Sequence, residues 1–323
     1  MHATRLTARP AQNQRTLRFN RDQLVAVSLA GQIANPLVRA SPYRIGRDGV
    51  LQIVPGTGGI VLNRRVGDRA IGLAGDHVEP GVALRNNDRE AQGGPGAANR
   101  ALLALSCIGN RVQVTSGPAM GAVGTVTGKH GGINHVLVDF PPNILRRLRI
   151  GDRMQVVSCG QGMVLLDFPQ IRALNLSPRL LARWGLRPHG RHLHVPVTHF
   201  VPAGLMGSGL GRSDGVLGDC DIQLSDARLR RRFRLDSLRF GDLVAIRPFD
   251  NRFGPSRSEG MVTVGVVVHS DSYVAGHGPG VTPLLIGSTQ LLRPYLSPQA
   301  NIAFLLGLRS SETSSLSSPP LAS

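Results

Sequence analysis

Three glycine-framed stretches carry the side chains able to do chemistry. The first, residues 127–135, runs Thr-Gly-Lys-His-Gly-Gly-Ile-Asn-His and centres on Lys129 and His130. Lys129 is the only lysine among 37 Lys and Arg side chains. A bias that strong suggests that exposed lysines have drifted to arginine, leaving lysine where an ammonium is needed. An ammonium is compact and its pKa can be drawn towards neutrality, whereas guanidinium stays planar and charged. Lys129 and His130 are therefore expected to orient or activate a substrate, with Asp76 and His77 completing the pocket. The competing reading is a solvated charge on a hairpin tip.

The second stretch is Met206-Gly207-Ser208-Gly209-Leu210-Gly211, leading to Gly218-Asp219-Cys220-Asp221-Ile222. The third is His269-Ser270-Asp271 with Ala275-Gly276-His277-Gly278-Pro279-Gly280. Residues two apart on a strand project to one face, which pairs Asp219 with Asp221 and His269 with Asp271. Neighbouring carboxylates resist ionising together unless a cation lies between them. Mixed imidazole and carboxylate sets suit zinc, manganese or iron, and oxygen-rich sets suit magnesium or manganese. The expected metal ligands are Asp219, Asp221, His269, Asp271 and His277, and the expected substrate contacts are Gly207, Ser208, Gly209 and Gly278. The glycine spacing is wrong for a dinucleotide fingerprint, so no nucleotide cofactor is expected. Cys220, flanked by two carboxylates, would have a raised thiol pKa and be a poor nucleophile.

The elements that must position these groups read as mainly β. Glycine (40) and proline (22) punctuate short Val/Ile/Leu runs in a chain of 323 residues, which predicts a β-rich α+β fold of two or three small barrel-like modules with a few short helices. Val66-Gly67-Asp68, Ile108-Gly109-Asn110, Ile150-Gly151-Asp152 and Phe240-Gly241-Asp242 repeat one strand-entry corner. There glycine supplies the backbone angle, and Asp or Asn bonds its own turn. Three strands predicted between residues 112 and 140 resemble a KOW segment of SH3-like barrels. A helix is predicted over 97–107, ended by Gly109 as its C′ residue. A second starts at Ser177-Pro178 and closes at Gly185, and a third is opened by Ser297-Pro298 and closed by Gly307. The implied division is a basic extension (1–23), an N-terminal β-rich domain (24–106), a KOW-like segment (107–165), a C-terminal β-rich domain (166–309) and a disordered tail (310–323).

Composition narrows the function classes. The formal charge of +17 invites nucleic acid, but the arginines are spread out. Aromatics, on which single strands stack, make up only 4% of the chain. Weak, non-specific nucleic-acid binding is the expectation. No apolar run reaches the roughly 18 residues of a membrane span. Three separated cysteines argue for a reducing compartment, so a cytoplasmic protein is expected.

The motifs at 107–110, 127–132, 206–209, 218–222 and 275–280, taken in order, resemble the prokaryotic family called domain of unknown function 4438. The likeness runs from about residue 25 to 308. It implies a β-rich, multi-barrel fold and supplies no reaction. The residues themselves favour a metal-assisted hydrolase or lyase acting on a C–N or carbonyl bond of a small molecule. An RNA- or ribosome-associated binding module and a non-catalytic multi-barrel protein are the alternatives.

Overall fold

In the computed structural model, which describes residues 17–38, 44–89, 94 and 96–310, the β-rich architecture is as the turn spacing predicts. The first sheet runs in the order Val27–Ile33, Arg153–Ser158, Arg111–Val114, Val123–His130, His135–Asp139, Gly81–Arg85, with Ile60–Val61 added outside. Gly81–Arg85 pairs back onto Val27–Ile33, through Gln32 opposite Arg85 and Ile33 opposite Leu84, so the six long strands close into an antiparallel barrel. The expected division at residue 106 runs through this barrel, because two of its strands precede that point and four follow it. The second sheet holds Arg172–Ala173, Gly280–Ser288, Met261–Val267, Leu243–Arg247 and His199–Pro202 in that order, with Cys220–Asp221 on the free end of Gly280–Ser288. A smaller sheet joins Arg187–His189, His192–Val197 and Leu292–Leu296.

Leu243–Arg247 shows why its apolar run is unbroken. Leu243 and Ala245 face the main core, which the barrel shares, while Val244 and Ile246 face a second core with Phe240, Phe249 and Ile222. A strand buried on both faces has no polar alternation. Barrel and second sheet meet at Lys129 and Thr282. The Thr282 hydroxyl donates to Lys129 O at 3.0 Å and accepts from Lys129 N at 3.4 Å.

The four repeated corners share one geometry. Asp68, Asp152 and Asp242 each accept from the backbone N–H three residues earlier, at 2.7, 2.9 and 2.8 Å. Asn110 does the same to Cys107 N at 2.7 Å. Each preceding glycine has positive φ, from 83° at Gly241 to 98° at Gly67, a region open to glycine at little cost.

The predicted helix at Ser177 forms as Pro178–Arg183, with Ser177 Oγ accepting from Leu180 N. The other two helices differ from expectation. The first spans Ala97–Leu105, and Gly109 belongs to the following corner rather than to its cap. The last is Ile302–Leu305, capped by Asn301 rather than opened at Ser297-Pro298. Asn301 Oδ1 accepts from Ala303 N at 2.8 Å, whereas Ser297 and Pro298 lie in a turn that Ala300 N closes onto Ser297 O at 3.0 Å. Of the basic extension, residues 1–16 lie outside the described residues, as do 311–323 of the tail. Phe19 bridges to Leu165, and Arg18 pairs with Asp167 at 2.8 Å.

Candidate metal centre

Five segments converge on one cavity of about 470 Å³. The loop before Gly81–Arg85 brings Asp76, His77 and Glu79. It is sewn to the segment after Met261–Val267 by His77 N to Asp271 O and by Ser270 N to Val78 O, both 3.1 Å. His77 has φ +56°, an uncommon backbone for a non-glycine residue and one that costs of order 1–3 kcal/mol. His130 ends the strand Val123–His130, and a bulge between Val126 and Gly128 resets the alternation of side chains just before it. A second bulge, between Val264 and Gly265, lies on the strand leading to His269. Bulges re-aim side chains beside functional sites. Asp221 lies with Cys220 on the short strand paired with Gly280 and Val281, and Asp219 immediately precedes it. His277 comes from the turn before Gly280–Ser288 and is the outermost ligand candidate, its side chain one-third (33%) exposed.

Three imidazoles are held in the same manner. His77 Nδ1 lies 3.1 Å from Asp76 Oδ1, His130 Nδ1 lies 2.6 Å from Glu79 Oε1, and His269 Nδ1 lies 2.9 Å from Ser270 O. A carbonyl only accepts, and so does an ionised carboxylate, so each Nδ1 is the donor and Nε2 is turned inward. Oxygen partners on the far ring nitrogen are the usual outer shell of metal-ligating histidine. His269 Nε2 then faces Asp219 Oδ2 at 2.8 Å and Asp221 Oδ1 at 3.6 Å. Neither His269 Nε2 nor Asp219 Oδ2 makes a hydrogen bond, although both are buried.

Two groups of three have ligand atoms within 4.8 Å of one another: His130, Asp219 and His269, and His77, Asp221 and His277. Burial pushes His269 down, but Asp219 and Asp221 outweigh it and hold the imidazole well above its ordinary value. Burial likewise opposes ionisation of Asp221, yet His269, His277 and His77 hold it well below the usual carboxylate range. His130 is lowered by burial and then by the charge of His269. Glu79, wholly buried, is nevertheless held low by His130 and His135.

Of the residues singled out in the sequence, Asp76, His77, His130, Ser208, Gly209, Asp219, Asp221 and His277 line the cavity, and His269 lies beneath it with no exposure. Four others do not line it. Lys129 is buried behind the barrel wall, its ammonium donating to Asn175 Oδ1 at 2.7 Å, Val216 O at 3.1 Å and Ala104 O at 3.4 Å. Asp271 turns away and accepts from Gly72 N at 3.0 Å. The strand ends at Val267, so the two-residue alternation that paired Asp271 with His269 no longer applies. Gly207 and Gly278 act through Asp221: Gly207 N donates to its carbonyl at 2.8 Å and Gly278 N to its carboxylate at 3.3 Å. Cys220 is buried, and burial followed by Asp221 and Asp219 pushes its thiol up to about 12.

Sequence reasoning missed Glu79, Arg212 and Gly280. Glu79 Oε1 and Oε2 reach His130 and His135, and Oε2 also accepts from Gly58 N. Its one signal was an acid two residues after His77. Arg212 reaches the cavity beside Gly131. A Cβ on Gly280 would collide with Asp219 Oδ2 and His269 Nε2, so only glycine leaves room for that pair.

The fold and the site together define a barrel-containing protein with a histidine- and carboxylate-lined cavity. The chain belongs to the family described as Domain of unknown function (DUF4438), whose N-terminal part matches residues 43–182 and whose C-terminal part matches residues 183–306. It is similar to a solved protein described as "Crystal structure of TM1086", at 42% identity over 89% of this chain and 98% of that one, with a TM-score of 0.84. No curated protein matches the chain. Among the described residues, no helix is long and apolar enough to cross a membrane.

Proposed function

We propose that the chain is a metal-assisted hydrolase or lyase acting on a carbonyl or C–N bond of a small molecule. The observation that carries this reading is the pair His269 Nε2 and Asp219 Oδ2, buried, 2.8 Å apart and without a hydrogen bond. With Nδ1 committed to Ser270 O, Nε2 and the carboxylate oxygen need a cation between them: a proton, which Asp219 and Asp221 favour by holding the imidazole above its ordinary value, or a metal ion that displaces that proton. The pair lacks the alignment of a hydrogen bond, which supports the metal ion. His130 supplies the third ligand atom.

A divalent cation bound there would polarise a carbonyl oxygen and lower the pKa of a water molecule. The remaining side chains suit a small, partly apolar substrate. Leu37, Ile53, Val54, Leu210 and Val274 form an apolar wall, and Ser208 and Thr57 offer hydroxyls. Arg212, 3.5 Å from Asp214, presents a guanidinium to the same space, suited to a carboxylate or a developing oxyanion.

The test is a screen of amides, lactams, imides and hydroxy acids with metal-free protein, then with zinc, manganese or magnesium added. Turnover should vanish with chelator, return with metal, and fall at least about 100-fold in His269→Ala, as removal of a centre's main electrostatic group does. A substrate turned over equally by chelated protein and by His269→Ala would overturn the reading.

A further inference from the structure

We infer that the cavity floor takes two divalent cations, bridged by the Asp221 carboxylate; this rests on the metal reading above and extends it to a second site. The two ligand groups share no residue, yet Asp221 touches both. Its Oδ1 lies 3.6 Å from His269 Nε2 of the inner group, while Oδ2 lies 3.2 Å from His277 Nδ1 and 3.6 Å from His77 Nε2 of the outer group. A carboxylate whose two oxygens face two ligand sets is the geometry that holds paired cations, which in two-metal sites stand about 3.5–4 Å apart. Gly278 N and Gly207 N fix Asp221 in that orientation through its carboxylate and its carbonyl.

The outer group has its own evidence. His77 is held in a left-handed backbone conformation with Nδ1 on Asp76, and Asp76 also accepts from Ser272 Oγ at 2.6 Å. His77 Nε2 is thereby aimed at His277 Nδ1, 3.1 Å away. Charge leads to the same count. Asp76, Glu79, Asp219 and Asp221 are four buried carboxylates around one cluster of imidazoles, which matches the charge of two divalent cations with the imidazoles neutral. Imidazole and carboxylate ligands in these proportions favour zinc or manganese over magnesium. The inner group is buried, His269 completely, and the outer one includes the part-exposed His277, so the outer cation should exchange faster.

The experiment uses the full chain, stripped of metal, incubated with excess Zn²⁺, desalted and analysed for bound metal. A parallel Mn²⁺ loading is read by electron paramagnetic resonance. Two equivalents per chain and a spin-coupled Mn²⁺ signal are expected. His277→Ala, on a partly exposed turn, should melt like wild type, bind one equivalent and lose the coupling. One equivalent in wild type would overturn the second site and leave the single-metal reading standing. None would overturn both. Two equivalents without coupling would overturn the bridge, and two retained by His277→Ala would overturn the outer ligand set. If that variant melts early, the wild-type stoichiometry and coupling still decide the matter.

Discussion

At the scale of single residues, the proposed metal centre depends on His269, whose two ring nitrogens have different tasks. Nδ1 is fixed by Ser270 O, which leaves Nε2 against Asp219 and Asp221. Gly280 makes this possible, because any side chain there would occupy the space between Asp219 and His269. Gly280→Ala should therefore lower zinc affinity at least tenfold by calorimetric titration, with a stability loss of about 1–3 kcal/mol, the usual range for overpacking. An alanine variant that binds zinc like wild type would show that the pair tolerates separation. Most polar groups of the site were legible in the sequence because aspartate and histidine cluster beside glycines at 76–77, 130, 219–221 and 277, and because His269 ends an apolar strand run. Lys129 was misleading. Its rarity does mark a special position, but that position is a buried ammonium satisfied by three oxygens. Glu79 escaped notice because its partners lie 51 and 56 positions away.

At the scale of elements, the glycine–aspartate corner was readable because its hydrogen bond is local, spanning three residues. The corners differ in how much they hold. Asp152 accepts from Arg149 N, whereas Asp242 accepts from Arg239 N, the Arg239 guanidinium and Asn301 Nδ2. Urea denaturation should show Asp152→Ala losing about 1 kcal/mol, as for a lost cap, and Asp242→Ala losing more, about 2–4 kcal/mol, because buried donors are stranded. Zinc affinity should be unchanged in Asp152→Ala. Equal losses in the two variants would mean that the Asn301 contact contributes nothing. Small barrels were legible, but which strands close one was not. The pairing of Gln32 with Arg85 and the two bulges depend on partners distant in sequence, and each bulge reverses the face that strict alternation assigns.

At the scale of the whole molecule, Lys129 ties the end of helix Ala97–Leu105 to Asn175 and Val216, joining the barrel to the second sheet. Burial draws its pKa from 10.5 down to about 7. Between those values the unfolded chain keeps a proton that the folded chain releases. Stability should thus rise with pH across that window, by at most about 1.4 kcal/mol per pH unit, and carry the full cost of the buried charge below it. Lys129→Met should flatten this segment of the stability profile, and an unchanged slope would assign it to other groups. Many of the arginines behind the +17 charge are engaged in structure, as in Arg65 with Asp139, Arg309 with Asp68 and Arg239 with Asp242. A cation held between His130, Asp219 and His269 underlies every functional statement above, and anomalous diffraction from crystals grown with zinc would locate it. The expected result is an anomalous peak about 2.0–2.2 Å from one nitrogen of each histidine and one oxygen of Asp219. A zinc-saturated crystal with no peak there, and a protonated His269 donating to Asp219 instead, would contradict it.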